Sequence, residues 1–176
     1  MIKNGTKVAA AMAATLMFGA CGYQLRGTGN FLFTSQNIKK IAVPVFKNNT
    51  TRFELDVKLT RAVINEFVAR GRVEVTSDPS VADAVMEGEV AAFNVNPIAY
   101  TSRQSSADRY NIQIVANVLI RNIRTKKVIF QNPSYVWQTD YEVPQGTDFE
   151  SSETEALNKV ADLFARALVI TILEGF

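Results

Sequence analysis

Cys21 is the only cysteine in the chain, and there are no histidines. Those two counts remove most side-chain chemistry. No Ser-His-Asp or Cys-His nucleophilic arrangement can be assembled. No zinc site of the Cys/His type exists within one chain, and no intramolecular disulfide can form. Glu87 and Glu89 lie two apart in an extended pattern and so share a face. Paired carboxylates can do acid–base work, but no nucleophile or lysine is tied to them by spacing, which leaves a solvated face as the expectation. Gly27-Thr28-Gly29 lacks the strand, the third glycine and the helix of a phosphate loop. These residues point to no enzyme and imply no cofactor and no metal.

Two further constellations carry charge or aromatic surface. Arg121, Arg124, Lys126 and Lys127 gather around one turn, while Arg103 and Arg109 flank the loop before the preceding strand. Basic tips are ordinarily solvated. On a membrane-tethered protein they have a second reading, contact with lipid phosphates or with a partner's acidic groups. Tyr135, Trp137 and Tyr141 share one strand face, either a ligand surface or core beneath a helix, and large aromatics serve more often as core.

Residues 1–20 read as a leader. Lys3 and Lys7 are its only charges, and Val8 to Phe18 is an apolar run broken only by Thr15. A spanning helix needs about 20 apolar residues, so the run is too short for a permanent anchor. Phe18-Gly19-Ala20-Cys21 resembles a bacterial lipobox, in which the cysteine thiol receives a diacylglycerol and the new amine is acylated. Three acyl chains exceed the two signals that stable anchoring takes. Gly22, where an aspartate would imply inner-membrane retention, favours the outer membrane by the same resemblance. The full chain has 19 basic and 17 acidic side chains, a net charge of +2. Without Lys3 and Lys7 the mature chain is balanced at 17 of each, so a pI near 8.7 is no argument for nucleic acid.

The 176 residues, 47% apolar and 20% charged, suit one globular domain. Residues 21–37 are expected as a lipidated tether, in which Phe31-Leu32-Phe33 either pack on the domain or sit near lipid. The domain is expected over 38–176. A first strand, Lys39–Phe46, carries Ile41, Val43 and Val45 on one face, with Pro44 pushing it towards an edge. A helix over Arg52–Arg70 shows a stripe of Leu55, Leu59, Ala62, Val63 and Phe67 widened by Ile64 and Val68, and Gly71 ends it. Strands are expected at 72–76 and at 84–95. In the second of these the small row Ala84, Met86, Gly88, Val90 and Ala92 admits a close helix backbone. Arg109–Arg121 alternates without a break, and its other face carries Asn111, Gln113, Val115, Asn117 and Leu119, amides with aliphatics that suit a partner surface such as the polar lumen of a large barrel. A strand at 128–142 is interrupted at Asn132-Pro133. Ser152 and Glu155 fit a capping box for a last helix. The fold class is α+β, two helices on one face of a four- to five-stranded mixed, mostly antiparallel sheet.

The order of short motifs resembles the LPS-assembly lipoprotein E (LptE) family, in its LptE-like branch. Cys21-Gly22-Tyr23-Gln24-Leu25-Arg26-Gly27 is similar to the lipidated family start. Ile41-Ala42-Val43-Pro44-Val45-Phe46, the helix ending before Gly71-Arg72, Ala82-Asp83-Ala84 leading into Glu87-Gly88-Glu89-Val90, and the closing Ile172-Leu173-Glu174-Gly175-Phe176 continue the likeness. The resemblance implies a non-catalytic outer-membrane lipoprotein that plugs the LptD barrel, helps it assemble and assists lipopolysaccharide insertion. It also implies lipopolysaccharide contact by Arg103, with Arg121, Arg124, Lys126 and Lys127 in support. Ile41 to Asn49 also resembles the first strand of TolB-like, curli-secretion and penicillin-binding-protein-activator lipoproteins, which would make the protein a regulator or an oligomeric secretion component.

Overall fold

Ile112, Ile114, Ala116, Val118 and Ile120 are all buried on one face of a strand whose intervening residues are half-buried on the other. That strand organises the rest of the chain. The computed structural model describes residues 31–100, 107–144 and 149–174. In chain order the elements are α1 (Phe31–Ser35), β1 (Lys40–Ala42), β2 (Lys47–Asn48), α2 (Leu55–Arg70), β3 (Glu74–Thr76), a 3-10 turn at Pro79–Val81, β4 (Ala84–Tyr100), β5 (Ala107–Asn122), β6 (Val128–Glu142) and α3 (Glu153–Glu174). One sheet runs β3-β1-β4-β5-β6, with β2 also on β4. The short strands pair in parallel and the three long ones are antiparallel. Among the described residues the fold is α+β, three helices on a mixed sheet of six strands.

The additional strand arises where one was expected over Lys39–Phe46. Pro44 has no N–H to give a ladder, and the ladder breaks into β1 and β2. Val43 N–H still reaches Thr76 O at 3.0 Å, while Phe46 N–H turns inward to Thr60 Oγ1 at 2.9 Å. Thr60 is buried in α2 and donates its own proton to Asp56 O at 2.7 Å. This places the Phe46 ring over β4, where Gly88 leaves the room. A Cβ at Gly88 would stand 2.6 Å from the ring. The small row on β4 therefore receives a side chain at this point, not a helix backbone. A register shift between Val90 and Ala92 then reverses the alternation, so Ala92 faces away from the helices and Phe93 packs against the core. β6 runs through Asn132-Pro133 without stopping. It is an edge strand, where proline is tolerated, and the register shift opposite Ala116/Val118 absorbs the extra residue.

α2 starts three residues later than its apolar pattern suggests, because Glu54 adopts φ 56° before it. Gly71, at φ 59°, ends it by donating to Phe67 O and Val68 O. Val68, expected on the buried stripe, is 60% exposed. α3 begins directly after Ser152, whose carbonyl accepts Ala156 N–H at 2.9 Å. At about 1.5 Å per residue its 22 residues span about 33 Å. Arg52 meets Glu153 at 2.7 Å and Lys58 meets Asn158 at 2.9 Å, so α2 and α3 start side by side and run in the same direction. The core reaches ahead of residue 38, since Phe33 of α1 is fully buried, its ring 6.4 Å from that of Phe67. Among the described residues no helix is long and apolar enough to cross a membrane.

Candidate functional site

The sheet face away from the helices is built around β5. Asn111, Gln113, Val115, Asn117 and Leu119 lie together on it, each half-buried, as the alternation requires. Their neighbours across the ladders form rows: Asn96, Asn111 and Asp140; Asn94, Gln113 and Gln138; Ala92, Val115 and Val136. Within these rows two cross-strand pairs of polar side chains bond one another. Asn111 Nδ2 donates to Asp140 Oδ1 at 3.0 Å, and Asn94 Nδ2 to Gln113 Oε1 at 3.1 Å. Arg109 pairs with Glu142, and Arg121 pairs with Glu87 at 2.5 Å. Glu89 takes Lys47 at 3.5 Å and the amide of Asn49. Glu87 and Glu89 are thus members of cross-strand pairs. The Ala92–Val115–Val136 row forms an apolar strip among them, with Val136 54% exposed.

The basic residues separate into two groups. Tyr100 pairs with Ala107 at one end of the β4–β5 ladder, and Ala84 pairs with Asn122 at the other. At about 3.3 Å per residue those ends are roughly 50 Å apart. Arg103 lies outside the described residues, between Tyr100 and Ala107 in sequence, while Arg121, Arg124, Lys126 and Lys127 belong to the far end. Cys21 also lies outside the described residues.

At the far end the β5–β6 turn is held by Asn122, which is buried and accepts Arg124 N–H and Thr125 N–H, both at 2.9 Å. Lys126 takes φ 61°. Asp83 accepts Lys39 N–H at 3.0 Å and Lys40 N–H at 3.1 Å, and Arg124 stands 3.5 Å away. Those backbone bonds, then the Arg124 and Lys39 charges, hold the Asp83 carboxyl below its ordinary range. Arg121 is committed to Glu87, and Lys126 and Lys127 are exposed.

The aromatic row on β6 is core. Tyr135 and Trp137 meet Phe164 of α3 edge-on at 5.8 and 5.9 Å, and Tyr141 meets Phe149 at 6.2 Å. Burial pushes the Tyr135 and Tyr141 hydroxyls upward in pKa. Sequence reasoning missed the loop before α2. Asn48 ties it by accepting Thr50 N–H at 3.0 Å and donating to Arg52 O at 2.8 Å. Arg52 bridges to Glu153 and lies 5.6 Å over the Phe93 ring. Phe53 beside it is 83% exposed. Such an aromatic with no periodic partner is the one signal the sequence offered. Among the described residues no group of three His, Cys, Asp or Glu side chains is placed to hold a metal ion.

The fold is shared with solved structures. The PelC dodecamer from Paraburkholderia phytofirmans is 16% identical, with 77% of this chain and 87% of that chain covered and a TM-score of 0.52. A protein from Xanthomonas campestris is 12% identical, with 78% and 85% covered and a TM-score of 0.52. The rare lipoprotein B from Shewanella oneidensis is 12% identical, with 78% and 92% covered and a TM-score of 0.46. At these identities the first two likenesses, with TM-scores above 0.5, speak for the fold alone. No curated protein matches the chain at a significant level. The family model "LptE: Lipopolysaccharide-assembly" matches residues 38–172, which takes in the core from Ile38 to Ile172, and the chain belongs to the LptE family.

Proposed function

We propose that this protein is a non-catalytic outer-membrane lipoprotein, anchored through acylated Cys21, that seats its open sheet face inside a large β-barrel of the LptD type. There it helps the barrel assemble and assists lipopolysaccharide on its way to the outer leaflet. The observation that carries this reading is the β5 face. Several of its amides and charges are already paired across strands, and an apolar strip at Ala92, Val115 and Val136 runs between them. A barrel lumen is polar, and a face of this kind meets it with hydrogen bonds and modest apolar contacts. Family membership over residues 38–172 supports the same assignment. Lipopolysaccharide contact falls to Arg103.

Photoreactive residues placed singly at Asn111, Gln113, Val115, Asn117 and Leu119 test it. All five share one face, so they should act as a set, giving adducts to a large outer-membrane barrel. Labelling from the helices only, or from none of the five, overturns the plug reading in favour of a regulator or secretion component.

A further inference from the structure

The two ends of the domain differ in charge. α2 and α3 begin at one end, with Asp56, Glu153 and Glu155 in their first turns. At the other end Lys39 and Arg124 flank one carboxylate, Asp83, whose two oxygens already serve the backbone of Lys39 and Lys40 and the guanidinium of Arg124, and Lys126 and Lys127 stand exposed on the adjoining turn. The adjoining Lys40 and Arg121 are matched by Glu74 and Glu87. The excess of positive charge is therefore local to the β5–β6 turn. Two apolar side chains are exposed in the same place: Val81 is 58% exposed two residues before Asp83, and Val128 is 53% exposed directly after Lys127.

An independent feature points to what this end faces. Phe33 is buried against Phe67, close to the C-terminal end of α2, and α1 packs on α3 and β6. Phe33 O accepts Ile38 N–H at 2.9 Å, and the following Lys39 and Lys40 are bound to Asp83. The chain is thus pinned to the basic end from Phe33 onward. Ten peptide steps separate Cys21 from Phe31, which at full extension reach at most about 35 Å. An acylated Cys21 would keep this end within about 35 Å of the leaflet that carries it.

We propose that the β5–β6 turn, with Lys39, Arg124, Lys126 and Lys127 and the exposed Val81 and Val128, is a docking surface for the anionic phospholipid headgroups of the membrane that holds the anchor. The occupant is a lipid surface and not a single phosphate, because the cations are spread over an exposed turn and do not converge on one point. Exposed lysines beside apolar side chains suit a headgroup layer, and each lysine near an anionic surface favours the docked state about fivefold. The proposal rests on the lipid anchor of the proposed function.

The test uses the lipidated protein on vesicles of phosphatidylethanolamine with or without phosphatidylglycerol, carrying a nitroxide quencher at the headgroup. Cys21 is the only cysteine and would be blocked by acylation, so an introduced cysteine is a unique labelling site. Thr125→Cys places a fluorophore on the turn, and Phe53→Cys places one by the start of α2. The expected result is strong quenching at 125 and little at 53 when phosphatidylglycerol is present. Lys126→Gln with Lys127→Gln lowers the ratio of docked to undocked protein about 25-fold. Equal quenching at the two sites, or quenching at 125 indifferent to phosphatidylglycerol and to both lysines, overturns the docking surface while the anchor stands. If the turn is instead left unquenched, the proposal fails. Failure of the protein to float with vesicles of any composition removes the anchor at Cys21, and the docking surface with it.

Discussion

Gly88→Ala is a one-carbon change with a defined consequence. The new Cβ would lie 2.6 Å from Cγ and Cδ1 and 2.7 Å from Cε1 of Phe46, well inside the 3.5–4.0 Å of a carbon–carbon contact. The ring cannot simply rotate away. Phe46 is 2% exposed, and its backbone N–H is held by buried Thr60. Replacing glycine in a strand would by itself stabilise by about 0.5–1 kcal/mol, by lowering the entropy of the unfolded chain. Overpacking a closed core costs about 1–3 kcal/mol, so the net expectation is a loss of about 1–2 kcal/mol. Urea unfolding of the single variant reads this directly. Phe46→Leu in the same chain should recover part of it, a coupling of about 0.5 kcal/mol or more between the two sites. If Gly88→Ala is as stable as the parent, or if the two substitutions are additive, the account of Gly88 as the seat of Phe46 is wrong.

Three further outcomes follow from single contacts. Thr60→Val keeps the volume but leaves the buried Phe46 N–H without its acceptor, which should cost about 1–3 kcal/mol in the same assay. Asp83 has its carboxyl pKa depressed in the folded state, so its contribution is present above the ordinary carboxylate range and is lost as pH falls through the folded value. The urea midpoint of the parent should therefore fall more steeply with acidification below about pH 4 than that of Asp83→Asn, and parallel curves would count against the Lys39 and Lys40 clamp. Arg103→Glu should weaken lipopolysaccharide binding roughly ten- to a hundredfold, the scale of one charge-assisted phosphate bond; unchanged binding by a folded variant removes Arg103 from the ligand site.

The parts legible in the sequence were those with a long uninterrupted period. β5 alternates from Tyr110 to Ile120, which fixed both its buried face and the membership of the outer set from Asn111 to Leu119. α2 was legible through its stripe and Gly71. What escaped had no period to betray it. α1 is five residues long, with Phe33 buried against Phe67, too short to show a period, so its sequence reads as tether. The reversal at Ala92 depends on one extra residue in β4, which only the facing strand reveals. Arg52 and Glu153 are 101 positions apart, and no local rule pairs them.

The outer sheet face and the basic turn differ in what covering them would cost. Exposed ion pairs contribute little to stability, typically about 0–1 kcal/mol, so the pairs Arg121–Glu87 and Arg109–Glu142 are poorly explained as braces for the fold. They do change the energetics of contact. Burying an unpaired charge costs several kcal/mol, whereas one already matched loses less on leaving water. With Asn111 bonded to Asp140 and Asn94 to Gln113 as well, much of the polar surface around Val115 has its partners before anything docks. A second protein can cover that face without supplying a counter-charge for every group. The β5–β6 turn is the opposite case. Its cations outnumber the carboxylate they share, and covering it with a neutral protein surface would strand them. Only a surface bringing its own anions suits it, and a headgroup layer brings them without having to match the geometry of the turn. The same domain can therefore meet a protein with its sheet and a membrane with its end, because the charges are matched on one surface and left in excess on the other.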